Sequence, residues 1–83
     1  MEKYIVMCRS VTSAQRCASL LEKNLVRASV TRAPRSLSSG GCAYGIVVHK
    51  KLKEAVEVLR KNEMPIGRIY ALESGGGYRE VSL

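Results

Sequence analysis

The sequence predicts an α+β fold of the ferredoxin-like βαββαβ type, in which two helices cover one face of a four-stranded antiparallel sheet. Two short runs, residues 3–8 and 43–48, are apolar at successive positions, which is typical of central strands. Two other segments repeat apolar residues at steps of three and four, which indicates amphipathic helices. The order of these segments along the chain gives the βαββαβ pattern.

The first half of the chain contains one strand, one helix and a second strand. Residues 3–8 combine Tyr, Ile and Val, which favour a strand. Ser10 is suited to cap the helix that follows, and the helix pattern ends near Asn24. The predicted buried stripe of this helix consists of Val11, Ala14, Ala18, Leu21 and Leu25. Residues 26–31 alternate between apolar and polar side chains and therefore predict a half-exposed strand.

The second half begins with a long loop. Residues 32–41 are dominated by Pro, Ser and Gly, and a connection of this length in a small domain is often functional. The strand at 43–48 comes next, and then a second amphipathic helix. Its predicted buried residues are Leu52, Ala55, Val56 and Leu59. Asn62 and Pro65 end this helix, and residues 66–72 form the last strand.

The chain is predicted to form one domain over residues 1–74, followed by a flexible Gly-rich joint and a tail over residues 75–83. The tail is expected either to be disordered or to add a strand to a partner. The two central strands are apolar on both sides, so the sheet face without helices needs a cover. A second copy of the chain, the long loop and the tail are the candidates, and we expect a homo-oligomer that forms through this face.

The composition excludes several classes of protein. With 46% hydrophobic and 25% charged residues, the chain is typical of a soluble globular domain. The net charge of +7 attracts anions, but the basic residues are scattered, so we expect no specific nucleic-acid partner. The apolar run at the N-terminus is too short for a signal peptide or a transmembrane helix. We therefore expect a cytoplasmic protein without a membrane partner.

The three cysteines fall in different settings. Cys8 ends an apolar strand and Cys17 flanks a helical stripe, so both are interpreted as small core residues. Their spacing matches neither a CxxC pair nor a zinc site, and we expect no metal and no cofactor. Cys42 instead ends the polar loop, directly after Gly40 and Gly41, which permit turns that aim backbone N–H groups at an anion.

The loop around Cys42 offers groups that stabilise a negative charge. Arg32 and Arg35 supply cations, and the hydroxyls of Ser38 and Ser39 supply donors, so a thiolate at Cys42 is expected to have a lowered pKa. A buried cysteine that simply enters a strand, after glycines that turn the chain, is an equally good interpretation of the same residues.

The residues near Cys42 exclude familiar thiol enzymes. A phosphatase-type or rhodanese-type loop closes on an arginine at the position occupied by Val48. His49 is the only histidine, and it lies about 23 Å away along a straight strand, which is beyond hydrogen-bond reach. A nucleophile without a general base favours a carrier of a bound atom over a turnover enzyme, although enzymatic activity stays undecided.

The loop resembles a known family of small bacterial proteins, the selenium/sulfur carrier-like family. The resemblance covers the chain up to Leu72 and depends on one set of matching residues: Pro34, Arg35, Leu37, Ser38, Ser39 and Cys42. It implies that Cys42 accepts sulfur or selenium as a persulfide or selenopersulfide, held by Arg35, Ser38, Ser39 and the backbone of Gly40 and Gly41. Donor and acceptor proteins are the implied partners. Ala43 departs from the family, which commonly has glycine after the cysteine.

Two other classes of function remain open. One is a small ferredoxin-like module that binds an anion or a nucleic acid through its basic surface, although the chain has no Phe for base stacking. The other is a structural or regulatory domain that oligomerises through the second sheet face. A Cys42→Ser change without phenotype would favour the latter.

Overall fold

The architecture is a single antiparallel sheet with two helices on one face, as seen in a computed structural model that describes residues 3–34, 37 and 44–82. The elements are β1 (Tyr4–Cys8), α1 (Val11–Lys23), β2 (Ala28–Arg32), β3 (Tyr44–Val48), α2 (Leu52–Lys61), β4 (Ile69–Leu72) and β5 (Tyr78–Val81). The strand order is β2-β3-β1-β4-β5. The predicted α+β class and the ferredoxin-like order of the first four strands are confirmed, whereas the predicted number of four strands is wrong.

The central strand β1 explains why the sequence is apolar at successive positions. It pairs with β3 on one side and with β4 on the other, so its backbone is bonded along both edges. Val6 and Cys8 face the helices, while Ile5 and Met7 face the opposite side, and all four are buried. Burial on both faces leaves no place for a polar side chain within this strand.

The fifth strand, β5, arises from the segment after the Gly-rich stretch. Leu72 of β4 pairs with Tyr78 of β5, and the turn between them is closed by a hydrogen bond of 2.7 Å from the Glu73 N–H to the Gly77 carbonyl. Gly76 has a φ of 94°, a value that other residues rarely adopt. The tail therefore adds a strand to its own sheet. The flexibility expected of the joint remains a prediction.

The two helices bury one stripe each against the sheet. The buried residues of α1 are Ala14, Cys17, Ala18 and Leu21, and those of α2 are Ala55, Val56 and Leu59. They form one core with strand residues that include Val6, Ile46 and Val48. Two members of the predicted stripe of α1 are exposed instead, Val11 and Leu25. Within the described residues, no helix has the length and apolar character needed to cross a membrane.

Helix α1 ends in a Schellman motif that has a leucine where glycine is usual. Leu25 adopts a left-handed φ of 63°. Its N–H donates to the Glu22 carbonyl at 3.0 Å, and the Val26 N–H donates to the Leu21 carbonyl at 2.9 Å. Leu25 is consequently turned outward and is 84% exposed, while Val26 returns to the core. This is why the helical pattern fails at Leu25 and why β2 begins only at Ala28.

Helix α2 ends in the same way. Glu63 has a φ of 55°, and its N–H donates to the Arg60 carbonyl. The Met64 N–H donates to the Leu59 carbonyl at 2.9 Å. In both helices an asparagine precedes the left-handed residue and donates its side-chain N–H to the carbonyl four residues earlier, namely Asn24 to Leu20 and Asn62 to Val58. The asparagines that were predicted to end the helices thus satisfy carbonyls that the helices leave open.

Replacing the left-handed residues with glycine is expected to stabilise the protein. Leu25→Gly and Glu63→Gly each remove a strained left-handed conformation, and we expect each to raise the free energy of unfolding by about 0.5–1 kcal/mol. Urea denaturation followed by circular dichroism measures the effect. The control is Glu57→Gly at an exposed position inside α2, which should lower the free energy of unfolding by about 1 kcal/mol. A lower midpoint for both glycine variants would contradict this account of the helix ends.

Candidate functional site between strands β2 and β3

The sequence places the candidate site in the loop that joins β2 to β3. Its predicted residues lie outside the described residues: Arg35, Ser38, Ser39, Gly40, Gly41 and Cys42. Ala33, Pro34 and Leu37 of the same loop are described, as are the strands on either side of it. The proposed roles of the predicted site residues therefore remain predictions.

Both ends of the loop are fixed at one end of the sheet. Arg32, the last residue of β2, is paired with Tyr44, the first residue of β3. Tyr44 is also paired with Cys8, the last residue of β1, so the loop starts and finishes at the same end of the sheet. Helix α1 begins close by in the chain, with Ser10 as its N-cap: the Ser10 hydroxyl accepts a hydrogen bond from the Ser13 N–H at 3.2 Å.

The first part of the loop packs onto the sheet face that carries no helix. Ala33 and Leu37 are both buried, in a cluster with Ile5, Met7 and Val47. The Leu37 N–H donates a hydrogen bond to the Pro34 carbonyl at 2.9 Å. The loop therefore contributes part of the cover that the second sheet face was predicted to need.

Tyr70 of β4 and Tyr78 of β5 complete the cover from the other side of the same cluster. Two of the three predicted covers, the loop and the tail, are thus provided by the chain itself. Homo-oligomerisation through this face remains a prediction. The reason first given for it, an apolar face left open, does not hold for the single chain, in which Ile5, Met7 and Val47 are already buried.

Gly45 lets β3 approach β1 closely, directly after the loop. A Cβ atom on Gly45 would lie 2.8 Å from the Val6 carbonyl oxygen and 3.1 Å from Cγ2 of Ile5. The first of these neighbours is backbone and cannot rotate away. Gly45 lies within the strand predicted at residues 43–48, and the apolar run that predicted this strand gave no sign of the steric constraint.

The other two thiols are buried in the helix-side core. Cys8 and Cys17 are free cysteines with no exposed surface, which confirms their predicted interpretation as core residues. Burial raises the pKa of the Cys17 thiol, and a hydrogen bond with the Cys8 side chain opposes this effect in part. The Cys8 thiol also lies 3.7 Å from the Val6 carbonyl, to which it can donate. Both thiols are inaccessible to reagents in the folded protein, and the raised pKa of Cys17 further disfavours its nucleophilic thiolate.

The side chains that could bind a metal are dispersed in the described part of the chain. Within residues 3–34, 37 and 44–82, no three His, Cys, Asp or Glu side chains are grouped as a metal site requires. His49 is exposed and follows the last residue of β3, at the opposite end of that strand from Tyr44.

Leu37 is the residue whose role the sequence did not reveal, because an isolated leucine between serines has no periodic pattern.

The fold is a ferredoxin-like α+β domain extended by one strand. A cysteine-containing loop joins the ends of β2 and β3. The chain belongs to the family described as "Putative Se/S carrier protein-like", whose model matches residues 3–71. The match contains β1 to β3, both helices, the whole loop and β4 as far as Ala71, and it ends before β5. Searches of curated proteins and of solved structures found no match.

Proposed function

We propose that the protein carries sulfur or selenium as a persulfide or selenopersulfide on Cys42. The observation that supports this most is the state of the other thiols. The chain has three cysteines, and two of them are buried without exposed surface. Cys42 is the remaining thiol, and it lies in the loop shared with the selenium/sulfur carrier-like family.

Transfer to Cys42 needs no external oxidant or reductant. The Cys42 thiolate attacks the outer sulfur of a donor persulfide, R–S–SH, and forms a new S–S bond. The S–S bond of the donor breaks, and the donor leaves as the thiolate R–S⁻. Attack by a thiolate on a sulfur–sulfur bond is ordinary thiol exchange. With R–S–SeH the same step moves selenium, and the reverse step delivers the atom to an acceptor protein.

The loop residues next to Cys42 are of types that stabilise the negative charge formed in this reaction. A persulfide ends in an anionic sulfur, and the proposal assigns its stabilisation to the guanidinium of Arg35, the hydroxyls of Ser38 and Ser39, and the backbone N–H groups of Gly40 and Gly41. Hydrogen bonds to an ionised acceptor are stronger than those between neutral groups. Ala33 and Leu37 support this role, because their burial ties the first part of the loop to the sheet.

The proposal is tested by incubating the protein with a cysteine desulfurase and cysteine, then mapping mass shifts by peptide. We expect the mass of one sulfur atom on the peptide that contains Cys42, and the mass of one selenium atom when selenocysteine and its lyase replace the sulfur source. The Cys42→Ser variant should acquire neither. The matched control is Cys17→Ala, which removes a buried thiol and should leave the loading of Cys42 unchanged.

Two outcomes would contradict the carrier function. The first is no shift on any peptide under conditions that load an established acceptor. The second is equal loading of Cys8 in the folded protein, since Cys8 has no exposed surface in the structure.

A further inference from the structure

A basic cleft lies at the end of the sheet opposite the loop. It has a volume of about 470 Å³, and its lining residues are Leu25, Arg27, His49, Lys50 and Lys51. The pairing of Ala28 with Val48 explains this grouping, because it brings the residues before β2 next to those after β3. The cleft therefore joins two chain segments, one after each of the elements α1 and β3.

The charge of the basic cleft is strongly positive. Arg27, Lys50 and Lys51 are exposed cations on a chain with a net charge of +7. Neither of the two ion pairs found among the described residues involves them. The described carboxylates on the adjoining helices are Glu22 of α1, which shares a neighbouring cleft with Leu25 and Arg27, and Glu54 and Glu57 of α2. The positive charge is therefore only partly offset.

Leu25 gives the basic cleft an apolar contact. It is 84% exposed, the highest value among the large apolar residues described as exposed, and it has the left-handed φ at which glycine is more stable. Lys51 likewise has a left-handed φ of 60°. The side chains of Leu25 and Lys51 are both exposed, so burial does not compensate for their left-handed backbone conformation. Leu25 therefore offers an exposed apolar side chain next to the cations of the basic cleft.

We propose that the basic cleft docks an acidic segment of a partner protein, with carboxylates against Arg27, Lys50 and Lys51 and an apolar side chain against Leu25. A protein segment matches the cleft better than a nucleic acid does. Among the described lining residues only His49 and the guanidinium of Arg27 can stack on a base, and none is Tyr, Phe or Trp, whereas single-stranded nucleic acids are bound on aromatic side chains along a groove. An exposed leucine among cations instead fits a segment that combines acidic and apolar residues.

The basic cleft lies apart from the ends of the loop. The cleft and the loop lie at opposite ends of β3, whose five residues span about 13 Å. The docked acidic segment itself would not need to contact the end of the sheet from which the loop extends. This surface is independent of the chemistry at Cys42, so a Cys42→Ser protein should bind the same segment equally well.

Fluorescence anisotropy with a labelled peptide tests the proposal, using a capped peptide in which glutamates surround one central leucine. We expect binding that weakens as salt rises, because the cations are exposed. Lys50→Gln combined with Lys51→Asn should weaken binding about tenfold; asparagine tolerates the left-handed conformation at position 51. Leu25→Gly should weaken binding about fivefold, although it is expected to stabilise the fold.

The matched control is Arg16→Gln combined with Lys61→Gln, which removes the same charge from exposed positions outside the basic cleft. It should change the affinity less than about twofold. An equal loss in both double variants would show general charge attraction and overturn the proposal. So would full binding of a peptide with glutamine in place of glutamate, or displacement of the acidic peptide by a single-stranded RNA that binds the cleft more tightly.

Discussion

Alkylation of the folded protein at neutral pH is expected to leave Cys8 and Cys17 unmodified while Cys42 reacts. The two core thiols have no exposed surface, so a reagent reaches them only when the structure opens. For a domain with a stability of about 5 kcal/mol, this opening limits their reaction to roughly a thousandth of the rate in the unfolded chain or less. Iodoacetamide labelling followed by peptide mass mapping, with and without urea, measures all three rates.

The protection of the buried thiols from alkylation is expected to depend on pH, because the pKa of Cys17 differs between the folded and the unfolded protein. Burial raises the pKa of its thiol in the folded state, so the unfolded chain releases that proton at lower pH than the folded protein does. The stability contributed by the protonated thiol is complete at neutral and acidic pH. It is lost as the pH rises above the ordinary thiol pKa and through the raised one. Labelling of Cys17 should therefore accelerate at alkaline pH by more than thiol ionisation alone explains.

A Cys42→Ser variant provides the control for the labelling experiment. It should lack the fast reaction and keep both slow ones, whereas urea should make the two remaining thiols react alike. Rapid labelling of Cys8 or Cys17 in the folded protein would show that the helix-side core is not closed as described here.

The Gly45→Ala change is expected to lower the free energy of unfolding by about 2 kcal/mol. The new Cβ would lie 2.8 Å from the Val6 carbonyl oxygen, and this contact is relieved only by moving β3 away from β1. The two strands form the centre of the sheet, so their hydrogen bonds lengthen together. In urea denaturation we expect the midpoint to fall by about 1–2 M, given the slopes usual for small proteins.

Gly75 and Gly77 offer matched controls for this prediction. A Cβ on either of them meets no atom within 4 Å, so alanine at these positions should change the stability by less than about 0.5 kcal/mol. If Gly45→Ala were as mild as Gly77→Ala, the close approach of β3 to β1 would not constrain this position.

The helices and the central strands could be predicted from the sequence, because the residues that they bury recur at the spacing that each type of element requires. Val6 and Ile46 lie in apolar runs that only central strands require, and Leu21 and Leu59 lie on helical stripes. The ends of the elements were harder to predict. Leu25 continues the apolar spacing of α1 but has left-handed geometry, which no spacing reveals. The strand at Tyr78–Val81 was missed because three glycines before it indicate flexibility as readily as a hairpin.

The candidate site was predicted from a different kind of signal. Cys42 drew attention through its polar, glycine-containing surroundings and its resemblance to a family, and the family is confirmed. The burial of Cys8 and Cys17 was predicted from their places in apolar segments and is also confirmed. The anchoring of the loop by Leu37 depends on contacts with distant residues such as Met7, and local sequence does not report such contacts.

The fifth strand changes what the sheet presents at its rim. Without β5, the outermost strand on that side would be β4, with the apolar sequence IYAL and unpaired backbone groups that invite another chain to join. With β5 in place, the rim is occupied by Arg79 and Glu80, which form ion pairs with Glu73 and Arg68. Charged rims discourage edge-to-edge aggregation, so this short extension lowers the tendency of the sheet to pair with a further strand.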